Sequence, residues 1–325
     1  NIKIKVDIDK AIYYFELSSN QNNSNAQYEL AKIYYTGQYI EKDINKLIHY
    51  LTLSEKNNNA KAQYLFGILN YEGVDVPQDI NKAIYYFTLS ANQNDPVAQY
   101  NLGIIFSKGE YIQQDINKAI HYFTLSANQN DPGAQYCLGI IYSESKYVKT
   151  DINKAIYYFH LCANQNVSMA QFKLGLIYYE NKNINPDIEK AIHYLTLAAN
   201  QNHAEALLCL GDIYYKSKMI DQDIEKAMNY YIHSANLNNV IAQCNLGIIY
   251  LQEKLVKKDT EKAIDYLMLA ANQNFSDAQY LLGDLYYKEI HVKQNIEKSI
   301  HYLELAANQN NRNAQYDLFN IYFYK

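Results

Sequence analysis

The stretch DINKAIYYFTLSANQN at residues 79–94 returns at 115–130 as DINKAIHYFTLSANQN, 36 residues on and with one change. Its opening Asp has counterparts at Asp7, Asp43, Asp151, Asp187, Asp223 and Asp259, then Asn295, with no insertion or deletion between them. A fixed period of about 20–50 residues marks a repeat architecture and takes precedence over other readings. The chain has 325 residues, and a single core stops growing at about 250–300. An array escapes that limit because each unit packs only on its neighbours.

One unit reads as two helices. Over residues 79–94, Ile80, Ala83, Ile84, Tyr86, Phe87, Leu89, Ser90 and Ala91 fall on one arc at helical spacing, with Asn81, Tyr85, Thr88 and Asn92 opposite. The leading Asp is an N-cap, a role Asn295 can also fill. The segment closes on an Asn in every unit, from Asn22 to Asn310. After Gly, Asn best tolerates the left-handed conformation that ends helices. The next helix, DPVAQYNLGIIFSKG at 95–109, has Asp95 as cap and Pro96 in its first turn. Seven units carry Gly inside this helix (Gly67 to Gly283), with Ala31 and Phe319 at the two remaining sites. Such a Gly is usually explained by a close helix crossing. The predicted fold is all-α, a solenoid of 36-residue helix-turn-helix repeats. Residues 1–25 form a partial repeat with the second helix only, 26–313 hold eight full repeats, and 314–325 a first helix only. Because the chain starts inside a unit and without Met, it is expected to be a fragment or processed form of a longer array.

The pattern resembles that of the Sel-one-like repeats, relatives of the tetratricopeptide repeats. Ala134, Leu138, Gly139, Tyr142, Val148, Asp151, Lys154, Ala155 and Tyr158 carry it in one unit, and it recurs along the chain. The tetratricopeptide period is about 34 and favours Trp where Gln135 stands here. The usual Gly after the second helix is always Asn in this chain. The resemblance implies a right-handed superhelix whose first helices line a concave surface. It also implies an adaptor that assembles protein complexes, with no enzymatic activity and no cofactor.

The reactive residues give no catalytic pattern. His49, His121, His193 and His301 share one outward position of the second helix, two or three units apart. Zinc needs nitrogens at about 2.0–2.1 Å, so no metal site is expected. Cys137, Cys162, Cys209 and Cys244 lack metal spacing. A Cys137–Cys162 bridge is the one pairing the hairpin permits, but reduced thiols and a cytoplasmic setting are expected. Asn22, Asn166 and Asn274 begin N-x-S sequons, which would be used if the chain entered the secretory pathway. The formal net charge is −5, and acids alternate with lysines. No basic stripe for nucleic acid is readable, and no run of about 20 apolar residues suits membrane insertion. The nine lysines after the caps, Lys82 for example, are read as lying over the Tyr four residues on (Tyr86) or pairing with nearby acids.

The 35 tyrosines, with no Trp, are the odd feature. Sixteen are core residues of the two helices, such as Tyr14, Tyr142, Tyr302 and Tyr322. Others form a row opposite the first helix's core face: Tyr64, Ile68 and Tyr71, then Tyr100 and Ile104, then Tyr136 and Ile140. The row continues as Phe172, Leu176 and Tyr179, and later as Tyr280 and Tyr287. These residues either pack on flanking repeats or face the groove and offer a partner an aromatic surface. Both are expected in part, with the tyrosines more exposed and residues 62–180 the preferred site. The expected partner is a protein or peptide. A regulatory or targeting module of a larger protein, such as a kinase, is the alternative. An architectural spacer is the third reading.

Overall fold

The computed structural model describes residues 7–144, 146–180, 184–252, 257–288 and 294–324. Among them it contains eighteen helices and no strand. The chain divides into two compact units, residues 1–162 and 163–325. The first holds α1 (Ile8–Ser19), α2 (Ser24–Thr36), α3 (Ile44–Lys56), α4 (Ala60–Glu72), α5 (Ile80–Asn92), α6 (Pro96–Lys108), α7 (Ile116–Ala127), α8 (Pro132–Glu144) and α9 (Ile152–Ala163). The second holds α10 (Ser168–Glu180), α11 (Ile188–Ala199), α12 (Ala204–Lys216), α13 (Ile224–Asn236), α14 (Val240–Leu251), α15 (Thr260–Asn272), α16 (Ser276–Lys288), α17 (Ile296–Ala307) and α18 (Arg312–Tyr324).

The punctuation read from the sequence is the punctuation found. Asp79 Oδ1 accepts the Lys82 N–H at 3.0 Å and Asp115 Oδ1 accepts that of Lys118 at 2.9 Å. Asn295 does the same for Lys298 at 2.9 Å. These bonds satisfy donors that a helix start leaves orphaned. The N–H donated to Asp79 holds its carboxyl below the usual carboxylate range. At the other end, all nine closing asparagines adopt positive φ, between 55° for Asn58 and 64° for Asn130. Asn therefore fills the left-handed position where the family pattern has Gly. Pro96 and Pro132 are the first residues of α6 and α8.

Within each unit, buried clusters join a second helix to the first helix that follows. In the first unit, Ala83, Phe87 and Ala91 of α5 pack on Ala98, Leu102 and Ile105 of α6. Ala119, Phe123 and Ala127 of α7 meet Ala134, Leu138 and Ile141 of α8 in the same way. In the second unit, Leu267, Ala270 and Ala271 of α15 pack on Ala278, Leu282 and Leu285 of α16. Burying each such Phe or Leu stabilises the seam by about 1.5–3 kcal/mol. The helical glycines set how closely the two helices of a hairpin approach. A Cβ on Gly103 would lie 2.5 Å from the Phe123 ring, and one on Gly175 would lie 2.6 Å from Leu195 Cγ.

Two polar ladders stitch the hairpins. Ser126 Oγ donates to the Pro96 carbonyl at 2.8 Å, and Cys162 Sγ takes the equivalent place, 3.2 Å from the Pro132 carbonyl. The buried Gln99 donates to the Ala91 carbonyl of the preceding helix at 3.1 Å and accepts from Gln129 at 2.9 Å. Gln171 and Gln201 repeat the bond at 2.8 Å, Gln243 and Gln273 at 2.8 Å, and Gln279 and Gln309 at 2.7 Å. In the repeat of α12 and α13 both partners change together, to Leu207 and Leu237. A polar pair replaced on both sides leaves nothing unsatisfied.

The lysines follow one half of the expectation and depart from the other: Lys118, Lys154 and Lys190 pair with Asp115, Asp151 and Asp187 at 3.6, 3.8 and 2.9 Å, but the ring beneath them is not the one four residues on. Lys154 Nζ sits 5.0 Å from the centre of the Tyr142 ring, Lys226 4.2 Å from Tyr214 and Lys118 5.1 Å from Phe106, each on the first helix of the same repeat. The Tyr four residues on lies one layer further, stacked on that ring: Tyr142 on Tyr158 at 5.9 Å, Tyr214 on Tyr230 at 5.8 Å. The i,i+4 rule fails here because the neighbouring helix offers a flat ring nearer the ammonium. Lys82 has no such ring, since Asn70 stands where other repeats have Tyr or Phe. It pairs with Asp79 at 3.4 Å, while Tyr86 stacks on Phe66 at 4.8 Å. Tyr14 and Tyr322, grouped with the core tyrosines from sequence, are exposed instead (63% and 64%).

Candidate functional site

Every residue of the predicted row is half-buried, tyrosines and isoleucines alike. Tyr64, Ile68 and Tyr71 of α4 pack against the core that α5 makes with α6, and the Tyr64 ring centre lies 5.8 Å from that of Phe87. Tyr100 and Ile104 of α6 close the next core, with Tyr100 5.9 Å from Phe123. Tyr136 of α8 lies 5.7 Å from Phe159, and Ile140 is half-buried on the same helix. In the second unit, Phe172 and Tyr179 of α10 pack on the cluster around Leu195 and Leu210, while Leu176 is half-buried beside them in sequence. Tyr280 and Tyr287 of α16 pack on Leu303 and Ile321. Each row member thus seals a seam on one side and keeps a margin for solvent on the other. Burial pushes the hydroxyls of Tyr64, Tyr100, Tyr136 and Tyr280 up from their ordinary value, so they remain protonated donors.

Apart from the last helix, α18, the more open apolar positions of the first helices lie three residues before the row. Val97, Met169 and Ile241 are 44%, 51% and 44% exposed. They occupy the variable x of the AQ-containing turn, where other repeats have Lys61, Gly133, Glu205 and Asp277. Sequence reasoning passed over them because they sit in the first turn, ahead of the eye-catching tyrosines. The signal was there: a position that swings from Lys to Ile within a near-identical array is not held by the core.

Phe172 has a special neighbour. His203, the N-cap of α12, stacks on it with ring centres 4.6 Å apart and accepts the Ala206 N–H at 3.4 Å. Burial lowers its pKa, and Glu205, 3.2 Å away, opposes that only in part. The folded state thus favours neutral imidazole more than the unfolded chain does. Its contribution is whole above about pH 6.5, the ordinary value, and is lost as pH falls through the lower folded pKa. A His203→Asn array, which keeps a cap acceptor, should gain melting temperature relative to wild type as pH falls from about 7.5 to about 5. Thermal scans at stepped pH check this, and parallel curves would refute it.

No group of three His, Cys, Asp or Glu among the described residues could hold a metal. His49, His121, His193 and His301 are exposed. All four cysteines are free, and burial pushes the Cys137 and Cys162 thiols up to about 11. No helix among the described residues is long and apolar enough to cross a membrane.

The Sel1 repeat model matches the chain nine times, at residues 2–23 and then in consecutive 36-residue blocks from 24–59 to 276–311. The chain belongs to the Sel1-repeat family. Two solved structures of Sel1-repeat type are similar over nearly all of it. One is c5321, a protective antigen present in uropathogenic Escherichia coli strains displaying an SLR fold, 27% identical with TM-score 0.86 over 98% of this chain and 68% of that one. The other is a Sel1 repeat protein from Oxalobacter formigenes, 27% identical with TM-score 0.79 over 95% of this chain and 89% of that one. Among curated proteins none matches significantly. The helix pairs described above are therefore the repeated unit of the SLR solenoid, and Sel1-repeat proteins generally act in protein–protein interaction.

Proposed function

We propose that this Sel1 array is a non-enzymatic scaffold that holds a protein or peptide partner on the face of its first helices. One observation carries the reading. The seam positions are nearly uniform, whereas the outer position in the first turn of the first helix changes from repeat to repeat: it runs Lys61, Val97, Gly133, Met169, Glu205, Ile241, Asp277. Uniformity maintains stacking; a face free of that demand can encode a partner. The exposed Val97, Met169 and Ile241 lie on those same helices and supply apolar contact area.

Peptides selected from a displayed random library on the intact array test this reading. The partner variant carries Val97→Glu, Met169→Glu and Ile241→Glu, exposed substitutions that should leave the melting temperature within a few degrees. The reading predicts selected peptides whose binding falls at least tenfold, about 1.4 kcal/mol, on the folded variant. Peptides that bind both arrays equally, or an array that selects none, would overturn it. Substituting Tyr64, Tyr100 or Tyr136 is the poorer test, because those rings also seal the seams.

A further inference from the structure

The first-helix face of the second unit contains a cleft that the row of tyrosines does not explain. It encloses about 360 Å³ and is lined by Ile241 and Ile248 of α14, Tyr280, Leu281 and Asp277 of α16, and Asn313 of α18. That volume is at the small end of ligand pockets, about 300–1,000 Å³; it suits one or two side chains rather than a cofactor. Ile241, Ile248, Phe275, Tyr280 and Leu281 make most of its walls apolar, interrupted by Asn245, Asn311 and Asn313, so an apolar side chain entering it leaves water.

Acidic groups outnumber basic ones around the cleft: Asp277, Asp284 and Asp317 against Lys288 and Arg312, the latter between the lining Asn311 and Asn313. Asp277 lines it directly. Asp317, on α18, is in hydrogen-bond contact with Tyr280, which donates its hydroxyl; burial and the neighbouring Asp284 both push the Asp317 carboxyl up. Asp284 is already paired with Lys288 at 2.8 Å. Among the described residues neither Asp277 nor Asp317 has a salt bridge. Two carboxylates without a salt bridge among the described residues thus stand beside the cleft, while Lys288, paired with Asp284, also attracts Asp317. A cationic side chain arriving there gains attraction that an acidic one is denied.

We propose that this cleft takes an extended peptide segment of the partner in which an aliphatic or aromatic residue is flanked by Lys or Arg. The apolar side chain fills the space between Ile241, Ile248 and Leu281, and the flanking cations meet Asp277 and Asp317. The inference rests on the scaffold reading above and adds the chemistry of the partner and the place where it docks.

Fluorescein-labelled Gly-Ser peptides with a central Leu flanked by Arg, by Ser or by Glu provide the test, read by anisotropy on the intact array at low and moderate salt. The Arg-flanked peptide is expected to bind at least tenfold tighter than the Glu-flanked one, with the margin shrinking as salt screens it. Asp277→Asn together with Asp317→Asn should abolish that margin, and Ile241→Ser should weaken the Arg-flanked peptide. Asp277→Asn alone, at an exposed site, repeats the test should the double variant melt early. Equal binding of the three peptides, binding indifferent to these substitutions, or no binding at all would overturn the inference. The library selection separates it from the scaffold reading. Selected peptides that are lost on Val97→Glu or Met169→Glu but not on Ile241→Ser would leave the scaffold standing without this cleft.

Discussion

A Gly103→Ala array is expected to lose about 1–3 kcal/mol, the usual cost of overpacking a close-packed core, although Ala is the better helix former. The new methyl would fall 2.5 Å from Phe123 Cδ1, and Phe123, only 1% exposed, has nowhere to turn. The chain itself supplies the remedy. The one full repeat with Ala at this site, Ala31, has Leu51 opposite, and both are fully buried. Adding Phe123→Leu to Gly103→Ala should therefore restore part of the loss. Denaturant or thermal unfolding of the two variants checks both statements; a Gly103→Ala array as stable as wild type would show that the hairpin is not closely crossed there.

The glutamine ladder predicts a non-additive pair. Gln129→Leu alone strips the buried Gln99 side-chain oxygen of the donor found at 2.9 Å and should cost about 1–3 kcal/mol, the price of an unsatisfied buried acceptor. Gln99→Leu added on top should recover most of that, recreating the Leu207 and Leu237 arrangement already present three repeats along the chain. A double-mutant cycle measures the coupling directly. Additive losses from the two substitutions would mean that the bond does not link them.

Most of the fold was legible because its determinants are local. The 36-residue step, the Asp and Asn caps and the prolines of the first turns each act within one or two turns of backbone. The closing asparagines could be read one by one, since a left-handed residue is a local demand. Contacts between helices were less legible. Lys154 was expected over the Tyr158 four residues ahead or beside a nearby acid; it does pair with Asp151, but the ring it covers is Tyr142 in the other helix of its hairpin, a choice made by packing. The same holds for the candidate face. Periodicity placed Tyr64 and Tyr100 opposite the core of their own helix, but the next helix covers part of each ring, so they are neither core nor open surface. Val97, Met169 and Ile241 are exposed although apolar, which the spacing of apolar residues along one helix does not distinguish from burial.

The central claim is that partners dock on first helices while second helices hold the stack. Hydrogen–deuterium exchange of the intact array, with and without the tightest peptide from the library selection, addresses it most directly. The account predicts that added protection concentrates in the first helices, α14, α16 and α18 above all, with α13, α15 and α17 unchanged. Protection confined to second helices would contradict it.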